Sequence, residues 1–293
     1  MKTKEDIIPK NVEVDELKTE NVQETEESVS KPKKEMGISI WDLLSYFIIY
    51  SFVGFIIETL FGVVTKGVIE SRQSFLYGPF CAIYGLGACV MIVSLQKLKK
   101  SHNYLFIGGF IIGSVIEYMV SFFGEMIYHV KWWDYSDQPF NLNGRICVGF
   151  SFFWGVLAMY LMKSFNPKVD RLIEKIKSKM KSKQSIKKLV IFIFTFMVAD
   201  FIITSIALNF FQIRKIVEYD LDVDNKEYIM EEYDRIYGDL KLSKFIYKFW
   251  GDRKMIRTFP NLKIQDKSGN IVYFKTLVPD VAPYYVMIYE KEE

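Results

Sequence analysis

The chain has 293 residues, of which 50% are hydrophobic and 25% are charged, with a formal net charge of +3. The apolar residues concentrate in five runs, which cover residues 41–64, 77–95, 104–127, 146–162 and 188–210. Each run approaches the ~20 residues that cross a hydrocarbon core of ~30 Å. Five such runs exclude a soluble globular protein and predict five transmembrane helices.

The N-terminal residues 1–36 precede the first apolar run and differ from it in composition. They carry 7 basic and 10 acidic residues, with few aromatic side chains, which predicts a solvated, disordered tail. No secretory signal peptide precedes the first run, so we expect that run to be an uncleaved signal anchor.

Basic residues are distributed unevenly among the loops. Lysines precede the first run and follow the second, and the loop 163–188 holds ten basic residues but only two acidic ones. The alternate loops hold only Lys66 and Arg72, and Lys131 and Arg145. By the positive-inside rule, this pattern predicts a multi-pass cell-membrane protein with a cytoplasmic N-terminus and an extracytoplasmic C-terminus.

The cytoplasmic loop 163–187 has its own periodicity. Apolar residues recur every three or four positions between lysines, at Val169, Leu172, Ile173, Ile176 and Met180. This pattern predicts a basic amphipathic helix on the anionic inner leaflet. Docking of a cytoplasmic partner such as an ATPase is the alternative.

Residues 211–293 predict a small appendage outside the membrane. Residues 226–250 predict a helix with apolar side chains on one side, namely Ile229, Tyr233, Ile236, Tyr237 and Leu240. Residues 262–274 predict a β-hairpin that turns at Ser268-Gly269-Asn270, and a last strand is expected within 284–289. So few residues form a marginal core unless they pack on the membrane domain. The predicted fold class is an all-α membrane protein, a bundle of about five transmembrane helices with a small outward α+β appendage.

Four carboxylates, Glu58, Glu117, Glu125 and Asp200, lie inside or at the rims of the apolar runs. A charge at the bilayer centre costs at least ~2.5–3.5 kcal/mol, so these residues are expected to be paired, functional or both. Their depths predict a polar cavity open to the outside, with the four as ligand-binding or proton-coupling candidates. The structural alternatives are an Arg145 ion pair with Glu58 or Glu125, and hydrogen bonds from neighbouring helices to Asp200.

A dense polar and aromatic segment, residues 131–145, lies between the third and fourth runs. Trp132 and Trp133 are typical of an interfacial aromatic belt. Around Gly144, where the backbone can approach another group closely, the segment could re-enter the bundle and cap a cavity. The candidate lid and counter-charge residues are Trp133, Asp134, Tyr135, Ser136, Asn141, Asn143, Gly144 and Arg145.

The three cysteines and the motifs that the sequence lacks lead to several further expectations. The three cysteines, Cys81, Cys89 and Cys147, lie within or beside the apolar runs and are predicted to be reduced and buried. No Cys/His cluster has zinc-ligand spacing, so we expect no metal and no cofactor. No P-loop is present, so any ATPase would be a separate subunit. Because these motifs are absent, the sequence favours a protein that is not an enzyme. No nucleic-acid partner is expected.

Several segments together resemble a family of bacterial membrane proteins labelled putative ABC-transporter type IV permeases (the CmpB type). They are Phe52-Val-Gly-Phe-Ile-Ile-Glu58, Phe75-Leu-Tyr-Gly-Pro-Phe-Cys-Ala-Ile-Tyr-Gly-Leu-Gly87, the 132–145 block, Ser151-Phe-Phe-Trp-Gly155, Asp200 with Ser205, and Asp252-Arg-Lys-Met through Phe259-Pro-Asn261. The resemblance covers roughly residues 41–262, and departs from the family pattern at Ala82, where a proline is expected. It implies transport with a separate ATPase subunit, and it implies no particular substrate.

Three hypotheses remain open from the sequence. The first is a permease-like protein that binds a small polar or cationic ligand in an outward-facing acidic cavity, with the 132–145 loop as its lid. The second is an intramembrane enzyme acting on an outer-leaflet lipid or envelope glycan, with Glu125 or Glu117 as general acid/base and Arg145 holding a phosphate. The third is a membrane scaffold or sensor that presents the tail. Because five spans are few for a lone transport pathway, a homodimer is a further expectation.

Overall fold

Four long helices form the framework of the protein. The computed structural model describes residues 37–128, 130–179, 183–281 and 286–287; the predicted tail 1–36 lies outside them. Four of its helices have the length and composition to cross a membrane, namely α1 (Ile40–Lys66), α3 (His102–Tyr128), α4 with α5 (Val148–Lys179) and α6 (Lys183–Glu218). The prediction of an all-α membrane bundle is confirmed.

The second predicted span differs from the other four. Helix α2 (Ala82–Leu95) has 14 residues, about 21 Å of helix. Residues 70–81 before it form neither helix nor strand, because Pro79 lacks an N–H group and disfavours a helical conformation at Gly78. The Cys81 N–H group donates to the Ser51 carbonyl oxygen at 2.8 Å, near the middle of α1. The chain therefore returns into the bundle as irregular backbone before α2 begins.

The predicted amphipathic helix continues α4. A π-helical turn (Leu161–Phe165) joins α4 (Val148–Tyr160) to α5 (Asn166–Lys179). Helix α5 lies along the first half of α1, where Asp170 accepts a hydrogen bond from the Tyr46 hydroxyl at 2.5 Å. Ile173 is buried while Leu172 and Ile176 remain exposed, so only part of the apolar face is covered; Met180 lies outside the described residues. We call this end of the bundle the α5 end.

Close packing joins the helices in pairs, α1 with α2 and α3 with α4. A Cβ atom at Gly113 of α3 would lie 2.3 Å from Cγ of Trp154 on α4, so the glycine is required for this approach. Helix α6 meets α1 through the rings of Phe47 and Phe194, whose centroids are 6.0 Å apart. The three cysteines are buried and form no disulfide, as predicted.

The C-terminal domain, residues 219–281, contains four helices and a hairpin. Residues 226–250, predicted as one helix, form α7 (Lys226–Tyr237) and α8 (Leu240–Trp250). The chain breaks there because Gly238 follows α7 and the Asp239 carboxylate caps α8, accepting hydrogen bonds from two of its backbone N–H groups. Leu240 therefore begins α8 and is 68% exposed. The remaining elements are α9 (Asp252–Thr258), β4 (Lys263–Gln265), β5 (Ile271–Tyr273) and α10 (Phe274–Leu277).

Three short antiparallel strand pairs connect parts of the chain. The β4–β5 hairpin turns where the sequence predicts, with Gly269 at φ +86°. Strand β1 (Val68–Ile69) pairs with β6 (Val286–Met287), and β2 (Asn141–Leu142) pairs with β3 (Ile146–Cys147). The predicted last strand covers residues 284–289; apart from β6, its positions lie outside the described residues. Lys131 and Lys263 exchange backbone hydrogen bonds of 2.8 and 3.1 Å, which fastens the 130–147 loop to the hairpin.

The C-terminal domain packs on the last turns of α6, so its core is continuous with that of the bundle. Arg214 and Lys215 of α6 are fully buried there, and the Asp252 carboxylate accepts from both, at 2.6 and 2.8 Å. Lys215 also pairs with Glu218. Since removing one partner of a buried ion pair is costly, this cluster fixes the domain to the helix. We call this end of the bundle the domain end.

Candidate functional site

A cavity of about 920 Å³ lies inside the bundle. Along α1 it extends from Phe47 to Phe61, and along α6 from Phe194 to Leu208, in each case about 21 Å of helix. Its walls come from α1, α3, α4, α6, the 70–86 segment, the 130–147 loop and residues 258–262 of the C-terminal domain. A length of about 21 Å is most of the thickness of a ~30 Å hydrocarbon core.

The irregular segment 70–81, which forms one wall of the cavity, is held by α6. Asp200, 2% exposed, accepts hydrogen bonds from the Tyr77 N–H group at 3.2 Å and the Gly78 N–H group at 2.7 Å. Thr204, one turn further along α6, accepts from the Leu76 N–H group at 2.8 Å. Non-helical backbone at membrane depth needs partners within the protein, and α6 supplies them.

This contact bears on the role predicted for Asp200. Its carboxylate engages backbone amides and is not among the residues that line the cavity. The geometry favours the structural alternative, with backbone N–H groups rather than side-chain hydroxyls as the main donors. The sequence contained the necessary signal in Gly78-Pro79, which breaks the helix and leaves amides without partners.

Glu58 and Glu117 are the two predicted carboxylates that line the cavity. Glu58 accepts a hydrogen bond from the Tyr84 hydroxyl at 2.8 Å. Glu117 is 5% exposed, and accepts from the Tyr135 hydroxyl at 2.9 Å and from the Trp154 indole N–H group at 3.1 Å. Each carboxylate is thus oriented by aromatic donors from other parts of the chain.

The two carboxylates are linked through their donors. The rings of Tyr84 and Trp154 are in contact, with centroids 5.4 Å apart, so Glu58 and Glu117 share one aromatic support. No lysine or arginine among the described residues forms an ion pair with either carboxylate. Chemically, the pair can accept hydrogen bonds from a ligand, bind its cationic group or take up a proton.

Glu125 has a different environment. Its carboxylate pairs with Arg145 at 2.6 Å and with Lys131 at 3.8 Å. Arg145 also donates to the Ser121 hydroxyl at 3.2 Å. Neither Glu125 nor Arg145 lines the cavity. Of the two ion pairs considered from the sequence, the structure contains the one between Arg145 and Glu125.

Most of the candidate lid residues form contacts within the 130–147 loop. Trp133 and Tyr135 line the cavity. Most polar candidates bond within the loop instead: Asp134 with Ser136, and Asn141 with the Ser136 and Gln138 carbonyls and the Gly144 N–H group. Asn143 donates to the Tyr118 hydroxyl of α3 at 2.9 Å. The polar residues therefore shape the loop, and its aromatic residues form the cavity wall.

Sequence reasoning missed a polar cluster at the domain end of the cavity. Glu70, 6% exposed, pairs with Lys66 at 3.1 Å and Arg72 at 2.8 Å, and accepts from the Asn261 amide at 3.0 Å. Burial raises the pKa of Glu70, but the Asn261 hydrogen bond and the two cations outweigh it and hold the pKa below its ordinary value. From the sequence alone, Lys66 and Arg72 indicated only the orientation of the helices.

These features define a class: a helical membrane protein with an internal cavity that contains two carboxylates. A family model described as "Putative ABC-transporter type IV" matches residues 45–205, more than half of the chain. The chain belongs to this family. The match includes Glu58, Glu117 and Asp200 and ends before the C-terminal domain. A search of curated proteins and a search of solved structures gave no match.

Substitution of Asp200 by alanine should destabilise the protein markedly. It would leave the Tyr77 and Gly78 amides without acceptors, at a cost of roughly 1–3 kcal/mol for each buried group. We expect Asp200→Asn to be milder, because one oxygen can still accept. The measurement is thermal unfolding of the full chain in detergent. Asp234→Ala, at an exposed position on α7, is the control, and equal melting temperatures for the two alanine variants would contradict the assigned role.

The Glu70 cluster predicts a pH-dependent contribution to stability. Because the folded-state pKa of Glu70 is lowered, its contribution is present above the unfolded pKa of about 4.3 and is lost as the pH falls through the folded value. Glu70→Gln should therefore lower the melting temperature at pH 7, and the difference from wild type should shrink near pH 3.5. A difference of the same size at both pH values would argue against an ionised Glu70 in the folded protein.

Proposed function

We propose that this chain is the membrane-spanning, permease-like subunit of a transporter and that its cavity binds an amphiphilic ligand. The observation that carries the proposal is the 920 Å³ cavity at membrane depth, with two carboxylates that have no cationic partner among the described residues. Membership of the family supports a transport role. Glu58 and Glu117 would contact the cationic or hydrogen-bond-donating part of the ligand, or couple its movement to a proton.

The walls of the cavity favour a ligand with an apolar body. Phenylalanine side chains line it along most of its height, from α1, α4, α6 and the 70–86 segment. A small polar ligand would leave these surfaces without a partner, whereas binding sites with apolar walls and a few placed polar groups suit molecules that have both parts. We therefore replace the small polar or cationic ligand of the sequence hypothesis with an amphiphile.

The enzyme hypothesis receives less support from the geometry. Its proposed phosphate-binding residue, Arg145, and one of its proposed acids, Glu125, pair with each other outside the cavity. The scaffold hypothesis treats the C-terminal tail as an independent module, but residues 258–262 form part of the cavity wall.

The proposal also includes the location of the protein in the cell membrane and its orientation there. The α5 end would face the cytoplasm and the domain end the exterior of the cell membrane, in keeping with the lysine-rich loop 163–188. A Lys267→Cys variant tests this, since Lys267 is exposed. Labelling of this variant by a membrane-impermeant reagent in intact cells is expected, and labelling only after lysis would reverse the orientation.

The proposed partners are membrane lipids, a separate ATPase subunit and a second copy of the chain. Leu172 and Ile176 are exposed on α5, which could contact an ATPase. The double variant Leu172→Ser, Ile176→Ser should lose an ATPase activity that copurifies from native membranes, while Tyr228→Ser, at an exposed position of α7, should retain it. Equal activity in both would exclude this docking surface. Cross-linking that traps only monomers would count against the homodimer.

A cavity-filling substitution tests the proposed binding site directly. Gly149 lines the cavity, and a Cβ atom there would meet no other atom within 4 Å, so Gly149→Leu should narrow the cavity without displacing its walls. Mass spectrometry of small molecules bound to the full chain, taken from native membranes in nanodiscs, should show an amphiphile in the wild type that the variant lacks. Gly37→Leu, which also enters open space but lies outside the cavity, is the matched control. The same bound molecules in all three proteins would refute cavity binding.

A further inference from the structure

One wall of the cavity carries a positive group near the domain end. Arg72 and Ser71 both line the cavity, and the Arg72 guanidinium packs beside Gly62 of α1, where a Cβ atom would lie 3.2 Å from Nη2. Arg72 pairs with Glu70 through Nη2 at 2.8 Å. With Lys66 also paired to Glu70, the three residues have one positive charge in excess.

This positive group has unused hydrogen-bonding capacity. The buried atoms Arg72 Nε and Ser71 Oγ have no hydrogen-bond partner within the described part of the chain. A buried polar group without a partner is unfavourable by roughly 1–3 kcal/mol. Both atoms are enclosed by the protein, so an acceptor in the cavity would be stabilised there once either side chain turned to meet it. Arginine favours phosphate because its planar guanidinium can donate two parallel hydrogen bonds.

A negative group lies one helical turn away on the same wall. Glu58 precedes Gly62 by four residues on α1, about 6 Å along the helix axis. Its carboxylate accepts from Tyr84 and has no ion pair with the described lysines and arginines. A ligand with one negative and one positive group a few atoms apart would complement this wall, whereas an anion alone would be repelled by Glu58 and Glu117.

Building on the function proposed above, we propose that the ligand is a lipid with a zwitterionic phosphate–ammonium head group. The phosphate accepts hydrogen bonds from Arg72 and Ser71, and the ammonium group, two carbons from the phosphate ester in a phosphoethanolamine head, lies beside Glu58. The hydrocarbon chain lies among the phenylalanine side chains between α1 and α6, where the cavity extends about 21 Å along each helix. The apolar extent of the cavity favours a lipid over a free phosphorylated amine.

The test measures which lipid the full chain retains. The purified protein is equilibrated with vesicles of equal parts phosphatidylethanolamine and phosphatidylglycerol, and the lipid that remains bound is quantified by mass spectrometry. We expect the wild type to favour phosphatidylethanolamine roughly tenfold, the ratio that one charge-assisted hydrogen bond can supply. A retained ratio equal to that of the vesicles would overturn the head-group assignment.

Two substitutions test the contact with the ammonium group and the contact with the phosphate separately. Glu58→Gln keeps the size of the side chain and should abolish the preference, because retained phosphatidylethanolamine falls to the level of phosphatidylglycerol. Arg72→Gln should lower retention of both lipids roughly tenfold, and Arg72→Lys, which keeps the charge, should lower it less. Arg253→Gln, at an exposed position outside the cavity, should match the wild type. Melting temperatures show which variants are folded, and a folded Glu58→Gln variant with an unchanged preference would overturn the assignment.

Two further measurements distinguish failure of this inference from failure of the proposed function. If the wild type shows no head-group preference but Gly149→Leu still loses its bound lipid, the head-group assignment is wrong and cavity binding stands. If Gly149→Leu retains as much lipid as the wild type, both fail. Excess soluble phosphoethanolamine should not displace the lipid; displacement would mean that the soluble head group is the ligand and that a lipid is not.

Discussion

The hydrogen bonds from the Tyr77 and Gly78 amides to Asp200 are the contact on which the rest of the structure depends. They allow a segment of irregular backbone to lie within the bundle, where its N–H groups would otherwise have no partner. Because residues 77–81 of the predicted span belong to this segment, α2 is about one and a half turns shorter than the apolar run. The segment forms one wall of the cavity, and the Asp200 carboxylate makes the break in the span tolerable.

The polar groups of the cavity depend on several elements at once. Glu58 of α1 and Glu117 of α3 are oriented by Tyr84 of α2, Trp154 of α4 and Tyr135 of the 130–147 loop. No helix pair alone would form this arrangement, since the donors to Glu117 come from two parts of the chain that meet only when α4 packs on α3. Precise positioning of this kind suits a binding site, because groups already held in place lose little entropy when a ligand arrives.

Local features of the sequence were sufficient to predict much of the fold. The apolar runs predicted the long helices, and Ser268-Gly269-Asn270 predicted the hairpin turn. Both predictions were possible because length, composition and turn chemistry are properties of short segments. The two-helix structure of 226–250 was missed although Gly238 and Asp239 were its signal. From the cost of burying charge, the sequence predicted four site carboxylates; Glu58 and Glu117 line the cavity, whereas Glu125 and Asp200 do not. The sequence could not assign Arg72 to the cavity, because that depends on how the 70–81 segment folds back against α1.

The C-terminal domain forms part of the cavity wall through residues 258–262, yet it lies beyond the part of the chain that the family model matches. Asn261 joins it to Lys66 and Glu70, directly above the cavity. In the proposed binding site, any water that these residues keep away from Glu58 and Glu117 would otherwise raise the local dielectric constant. Since the attraction between a carboxylate and a cation weakens in proportion to that constant, the domain would then strengthen the interaction of the two carboxylates with a charged ligand.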